Sequence, residues 1–136
     1  MWAKKVSAFS TTENILITSP WKQIPLVREF IKEIKGVDDQ IKIFTCDMNP
    51  SMAHKDVDDD GCFKVPLYTS EDYVETIFSL CMGYNISHIF TMAEREFIIL
   101  SANKDMFDKY GVQVMDCRVT SNPMKIIKEL QLNNRM

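Results

Sequence analysis

The side chains whose spacing first suggests chemistry are carboxylates. Asp56, Asp58 and Asp60 alternate ahead of Gly61 in the manner of a calcium loop, and they could offer part of the about six to eight oxygens that calcium takes. The rest of the loop fails. Leu67 stands where a bidentate glutamate belongs, and Pro66 precedes it where an exit helix should begin. A solvated acidic turn is the expectation, with no metal on the chain. Asp47, followed by Met48-Asn49-Pro50, lies just beyond a strand-like run. Nucleotide-binding parallel sheets hold a ribose hydroxyl at that position, although an aspartate shortly before Asn-Pro is also ordinary turn chemistry. Lys22, in the loop after the first apolar run, could pair with a carboxylate or phosphate, and Asp47 could accept from a hydroxyl or an amine. Ser87 falls inside a buried-looking run rather than on the exposed turn a nucleophile needs, and neither His54 nor His88 has a visible nucleophile partner. Cys46, Cys62, Cys81 and Cys117 fall in different segments without a Cys-x-x-Cys pair, which fits buried thiols in a reducing compartment.

These groups must be positioned by a modest chain. Its 136 residues predict one domain with a single core, and 46% apolar with 26% charged residues is the balance of an ordinary globular protein. A formal charge of −3 gives no reason to expect nucleic acid or an acidic membrane as partner. No apolar run is long enough to span a bilayer and no secretory signal opens the sequence, so a cytoplasmic location is expected.

The organising stretch is Asn14-Ile-Leu-Ile-Thr-Ser19, in which Ile15, Leu16 and Ile17 read as a short strand buried on both faces. Ahead of it, residues 1–13 read as an N-terminal arm, with Trp2, Val6 and Phe9 spaced for one apolar helical face. After it, Thr18 or Ser19 can cap a helix over Pro25–Lys35 whose apolar face is Leu26, Val27, Phe30, Ile31 and Ile34, with Gly36 as its stop. No glycine lies between Thr18 and Leu26. The loop therefore lacks both the Gly-x-Gly-x-x-Gly fingerprint and the Walker lysine loop, and the scaffold is expected without a dinucleotide site.

The alternation continues. Ile41–Cys46 reads as a second strand and Phe63–Pro66 as a short third. Thr69-Ser-Glu-Asp72 opens a helix with Val74, Ile77, Phe78, Cys81 and Met82 on its buried face. Ile86–Thr91 is another buried strand. Glu94 starts one long helix through Lys109, with Phe97, Ile98, Leu100, Ser101 and Phe107 giving it apolar faces. Val112, Val114 and Met115 form a last strand, and Pro123 opens a final helix over Met124–Leu132. Strand and helix in regular succession predict a three-layer α/β/α sandwich around a mainly parallel, Rossmann-like sheet over residues 14–136, with Ile15, Ile17, Ile43, Ile89 and Val114 buried.

Three landmarks in this order resemble the N-terminal, pre-ATP-grasp domain of ATP-grasp ligases, especially the carbamoyl-phosphate-synthase-like group. They are Asn14-Ile-Leu-Ile-Thr-Ser19 with Leu26-Val-Arg-Glu-Phe30; Cys46-Asp-Met-Asn-Pro50 leading to Phe63-Lys-Val-Pro66 and Ser70-Glu-Asp-Tyr73; and His88-Ile-Phe-Thr91 with Glu94 and Tyr110-Gly-Val-Gln-Val114. The resemblance implies a domain that lines the substrate side of an active cleft, while ATP and magnesium are held by a partner ATP-grasp domain or subunit and no cofactor by this chain. The chain stops about where that part would begin, so a noncatalytic domain or split subunit is the expected role. Two positions depart from the family pattern. The first loop, Pro20-Trp-Lys-Gln23, lacks the usual glycine, with Lys22 able to supply the usual basic charge and Trp21 crowding a ligand, and Glu94-Arg95-Glu96 replaces a pair of acids led by aspartate.

Strand C-termini in a parallel sheet converge on one edge, which predicts a cleft there holding Ser19, Trp21, Lys22, Asp47, Asn49, Thr91 and Glu94 against a small-molecule substrate. A stand-alone small-ligand module, or an interaction protein with a decayed cleft, are the other readings. A homo-oligomer stays open.

Overall fold

The computed structural model describes residues 13–49, 57 and 59–116. The arm, the final helix, His54, Asp56, Asp58 and Cys117 lie outside the described residues. Five strands form one parallel sheet: β1 (Asn14–Thr18), β2 (Ile43–Asp47), β3 (Gly61–Lys64), β4 (Ile86–Thr91) and β5 (Gln113–Asp116), in the spatial order β3-β2-β1-β4-β5. The helices are α1 (Ile24–Val37), α2 (Tyr73–Gly83), α3 (Glu94–Ala102) and α4 (Lys104–Lys109), and a 3-10 turn over Pro20–Gln23 precedes α1. The order runs outward from β1 in both directions, so β1 and its neighbours are covered on both faces.

Side chains alternate across β1 and thereby assign the two cores. Ile15 and Ile17 point with Ile43 and Phe90 toward α1, where Val27, Phe30, Ile31 and Ile34 close the layer. Leu16 points the other way with Cys46 and Ile89, and meets Tyr73, Ile77 and Cys81 of α2, Leu100 of α3 and Phe107 of α4. The chain is thus a three-layer α/β/α sandwich. Register is regular except at the start of β4, where Asn14 pairs with Ile86 but Ile15 pairs with His88. The extra residue, Ser87, bulges the strand and lets Ile86 fall on the same face as Ile89.

Several element boundaries differ from the sequence expectation. Helix α1 runs through Gly36 to Val37 and ends where the Asp38 amide bonds the carbonyl of Ile34 at 3.0 Å. Strand β3 lies two residues earlier than Phe63–Pro66, pairing Gly61 to Lys64 with Phe44 to Asp47. The single long helix is two, α3 and α4, broken at Asn103. The Asn103 Nδ2 donates to the carbonyl of Ile99 at 3.0 Å, which caps α3, and its own carbonyl accepts from Met106 and Phe107 to start α4. Val114 is only half-buried because β5 is an edge strand with one neighbour. Met82 and Ile98 face outward, and Tyr73 and Glu96 take inward positions instead.

Among the described residues no helix is long and apolar enough to cross a membrane. Cys46, Cys62 and Cys81 are free thiols.

Candidate functional site

Hydrogen bonds carry the strand ends beyond the sheet and gather them at its C-terminal edge. The Ser19 amide donates to the Cys46 carbonyl at 2.9 Å, the Val65 amide to Asp47 at 3.0 Å, and the Met92 amide to Thr18 at 3.3 Å. A cavity of about 490 Å3 opens over that edge. Its floor holds Ser19, Asp47, Tyr73 and Glu96; Val65, Pro66 and Met92 wall it, with Trp21, Lys22, Tyr68 and Arg95 above.

The β1–α1 loop enters this floor with Ser19 in the left-handed region, φ 51° and ψ 52°. A non-glycine residue there stores strain that its surroundings must offset. The side chain shows how: its hydroxyl caps no helix but donates to Oε2 of Glu96, while the hydroxyl of Tyr73 donates to Oε1 of the same carboxylate. Glu96 is 6% exposed. One buried carboxylate therefore ties together the first loop, the start of α2 and the first turn of α3. Burial, and then the negative charge of Glu96, push the Tyr73 phenol far above its ordinary range, so it stays a donor.

Asp47 sits beside this tie and is 3% exposed. Its Oδ1 accepts from the Asn49 amide at 3.3 Å, and its Oδ2 is buried with no partner among the described residues. Burial raises its pKa and the charge of Glu96 adds to the rise; the Asn49 and Met48 amides and Lys22 pull the other way. A carboxyl raised in the folded state stabilises the fold most below its unfolded value, near 3.8, and loses that contribution as pH rises through its folded value. Asp47→Asn is therefore expected to stabilise the chain at pH 7 by roughly 0.5–2 kcal/mol, with the gain closing as pH falls toward about 4. Urea unfolding at both pH values checks this, and equal stability at pH 7 would show that the fold bears no cost for the charge.

At the mouth, Arg95 Nη1 donates to the Tyr68 hydroxyl at 2.8 Å and so links α3 to the segment after β3. The Lys22 ammonium lies 4.6 Å from the centroid of the Trp21 ring, a cation–π contact that leaves it at the rim.

Of the residues expected at this edge, Ser19, Trp21, Lys22, Asp47 and Glu94 line the cavity. Asn49 and Thr91 do not. Asn49 turns its amide back onto Asp47 in an exposed turn, and Thr91 is fully buried with its hydroxyl donating to the Met115 carbonyl at 3.4 Å. Glu96, Tyr73, Tyr68 and Arg95 were missing from that expectation. A signal for two of them lay in the helical period: Tyr73, Ile77 and Cys81 recur at intervals of four, as do Glu96 and Leu100, so each polar residue begins a buried stripe. Tyr68 and Arg95 carry no such mark.

The loop after β1 is a poor phosphate cradle. Pro20 and Pro25 have no amide hydrogen, the Ser19 amide is spent on Cys46, and the Lys22 amide bonds the Ser19 carbonyl at 3.2 Å. Among the described residues no three or more His, Cys, Asp or Glu side chains are grouped to hold a metal ion.

Comparison with protein families matches residues 15–115 to the model described as PylC-like, N-terminal domain. No curated protein matches the chain.

Proposed function

Because the chain belongs to the family of PylC-like N-terminal domains, a pre-ATP-grasp type of domain found in ATP-grasp ligases, we propose that it is the noncatalytic substrate wall of such a ligase, one that forms carbon–nitrogen bonds and is of the carbamoyl-phosphate-synthase-like kind. In this reading an ATP-grasp domain, on the same or a separate chain, faces the C-terminal edge of the sheet and would hold magnesium ATP, whose terminal phosphoryl group would activate a carboxylate. This chain's residues bind and orient the substrate. Asp47 accepts a hydrogen bond from it, Lys22 offers a charge at the rim, and Trp21 and the apolar wall exclude water.

The observation that carries the reading is the cavity itself. It lies where open α/β sheets bind ligands, it contains an unsatisfied buried acceptor, and the loop beneath it has spent the amides of Ser19 and Lys22 and has none at Pro20 and Pro25. Lys22→Ala and Glu94→Ala, introduced into the assembled ligase, are expected to raise the substrate KM by about tenfold and leave the KM for ATP unchanged. Calorimetry on the chain alone is expected to show no saturable binding of magnesium ATP. Unchanged substrate KM in both variants, or tight magnesium-dependent ATP binding by this chain alone, would overturn the reading.

A further inference from the structure

The two carboxylates on the cavity floor are in different states of satisfaction. Both oxygens of Glu96 are taken, by Ser19 and by Tyr73, so it has little left to give a ligand. Asp47 has its Oδ1 turned to its own backbone turn and its Oδ2 shielded from water without a donor among the described residues. Leaving a buried acceptor unmet costs about 1–3 kcal/mol and more for a charged group, so such atoms call for an explanation. Neither of the described cations that line the cavity provides one. Lys22 lies over Trp21, and Arg95 reaches to Tyr68.

What would satisfy Oδ2 is narrowed by its neighbours. An anion would meet two carboxylates and be repelled. A hydroxyl would supply one hydrogen bond and leave the charge unbalanced. A primary ammonium supplies three N–H donors on one atom together with the missing positive charge. The lining that Asp47 shares includes Met48, Val65 and Met92, which suit an aliphatic chain and not a second charge.

We propose that the cavity floor is an ammonium subsite in which the Asp47 carboxylate turns to bring Oδ2 to the cavity and accepts from a protonated primary amine, while Met48, Val65 and Met92 cover the adjoining carbon chain. The proposal rests on the reading of this cleft as a substrate wall and specifies the group that wall recognises. It has a chemical consequence. An ammonium held by a carboxylate keeps its proton and has no lone pair to attack with, so this nitrogen is an anchor. The group that reacts is a different one on the same molecule, held nearer the rim where Lys22 and Arg95 stand.

The test uses the full chain and three probes of one length: n-butylammonium, n-butanol and butyrate. Carbon-detected NMR of the side-chain carboxyls is expected to show a saturable shift at Asp47 with n-butylammonium, binding at least about tenfold more tightly than n-butanol, and no shift at Asp47 with butyrate. Asp47→Asn is expected to weaken n-butylammonium at least about tenfold, and because this variant is expected to be no less stable than the parent, the loss reports binding rather than unfolding. Equal binding of the amine and the alcohol, or full affinity in Asp47→Asn, overturns the ammonium subsite and leaves the substrate wall standing. Absence of any Asp47 shift with any probe also overturns the subsite. The wall reading falls separately, on an unchanged substrate KM in Lys22→Ala and Glu94→Ala.

Discussion

Glu96→Ala is expected to destabilise the chain by about 2–4 kcal/mol, a large part of the roughly 5–15 kcal/mol that holds a domain of this size together. The substitution removes two charge-assisted hydrogen bonds and leaves the hydroxyls of Ser19 and Tyr73 without their acceptor in a buried place. It also frees the left-handed Ser19, whose conformation the bond to Glu96 helps to hold. Part of the loss is offset, because a desolvated charge next to Asp47 disappears. Glu96→Gln keeps the shape and one acceptor, and about 1 kcal/mol is expected. Combining Glu96→Ala with Tyr73→Phe should cost less than the sum of the two, with a coupling of about 1 kcal/mol or more, since both changes break the same contact. Denaturant unfolding measures all of these. A Glu96→Ala protein within about 0.5 kcal/mol of the parent would mean that the carboxylate does not tie the three elements together.

A cost of about 3–5 kcal/mol is expected for Phe90→Ala. Phe90 is fully buried in β4 beneath α1, with its ring centroid 4.8 Å from that of Phe30 at 60°. The space left by the ring is walled by strand and helix backbones that cannot collapse into it, so the cavity penalty adds to the lost apolar burial. The same strand delivers Met92 to the cavity wall, and ligand binding is expected to weaken along with stability. Ile98→Ala provides the contrast. Ile98 is 58% exposed on the outer side of α3, and the expected change is within about 0.5 kcal/mol. If both substitutions cost the same, the division between inner and outer faces of these helices would be wrong.

Much of this architecture is legible in the order of residues. Ile15-Leu-Ile17 is a short apolar run bounded by polar residues, and only a strand covered on both faces buries such a run; Ile43 and the mixed segment Ile86–Thr91 are buried beside it. Alternation with helices then leaves a parallel sheet, because parallel strands need crossovers. The convergence of strand ends places Ser19, Trp21, Lys22, Asp47 and Glu94 at one edge by the same logic. Family membership is legible too, since it is carried by the sequence of landmarks along the chain.

Local pattern stops short at three kinds of place. Asn103 looks compatible with a continuous helix over 94–109, and only the competition of its side chain for the Ile99 carbonyl breaks it. Gly36 looks like a stop, yet α1 passes through it to the exposed Val37, because a propensity cost of about 1 kcal/mol weakens a helix end without forbidding it. Met82 and Ile98 are apolar but face outward, while the polar Tyr73 and Glu96 face inward, and hydropathy alone orders each pair the other way.

The state of each carboxylate belongs to the tertiary structure entirely. Ser19, Tyr73 and Glu96 are separated by 77 and 23 residues where they bond, and no sequence spacing records that their side chains meet. Residue types and their period were enough to determine the alternating strands and helices, the parallel sheet and the edge where its strand ends gather, because burial along each element follows local composition, whereas the two separate cores, where one was expected, came from the tertiary structure. Which of two neighbouring acids is spent on the fold and which keeps an oxygen without a partner among the described residues was decided only when three distant segments closed on one another, since a hydrogen bond depends on tenths of an ångström that the fold alone supplies.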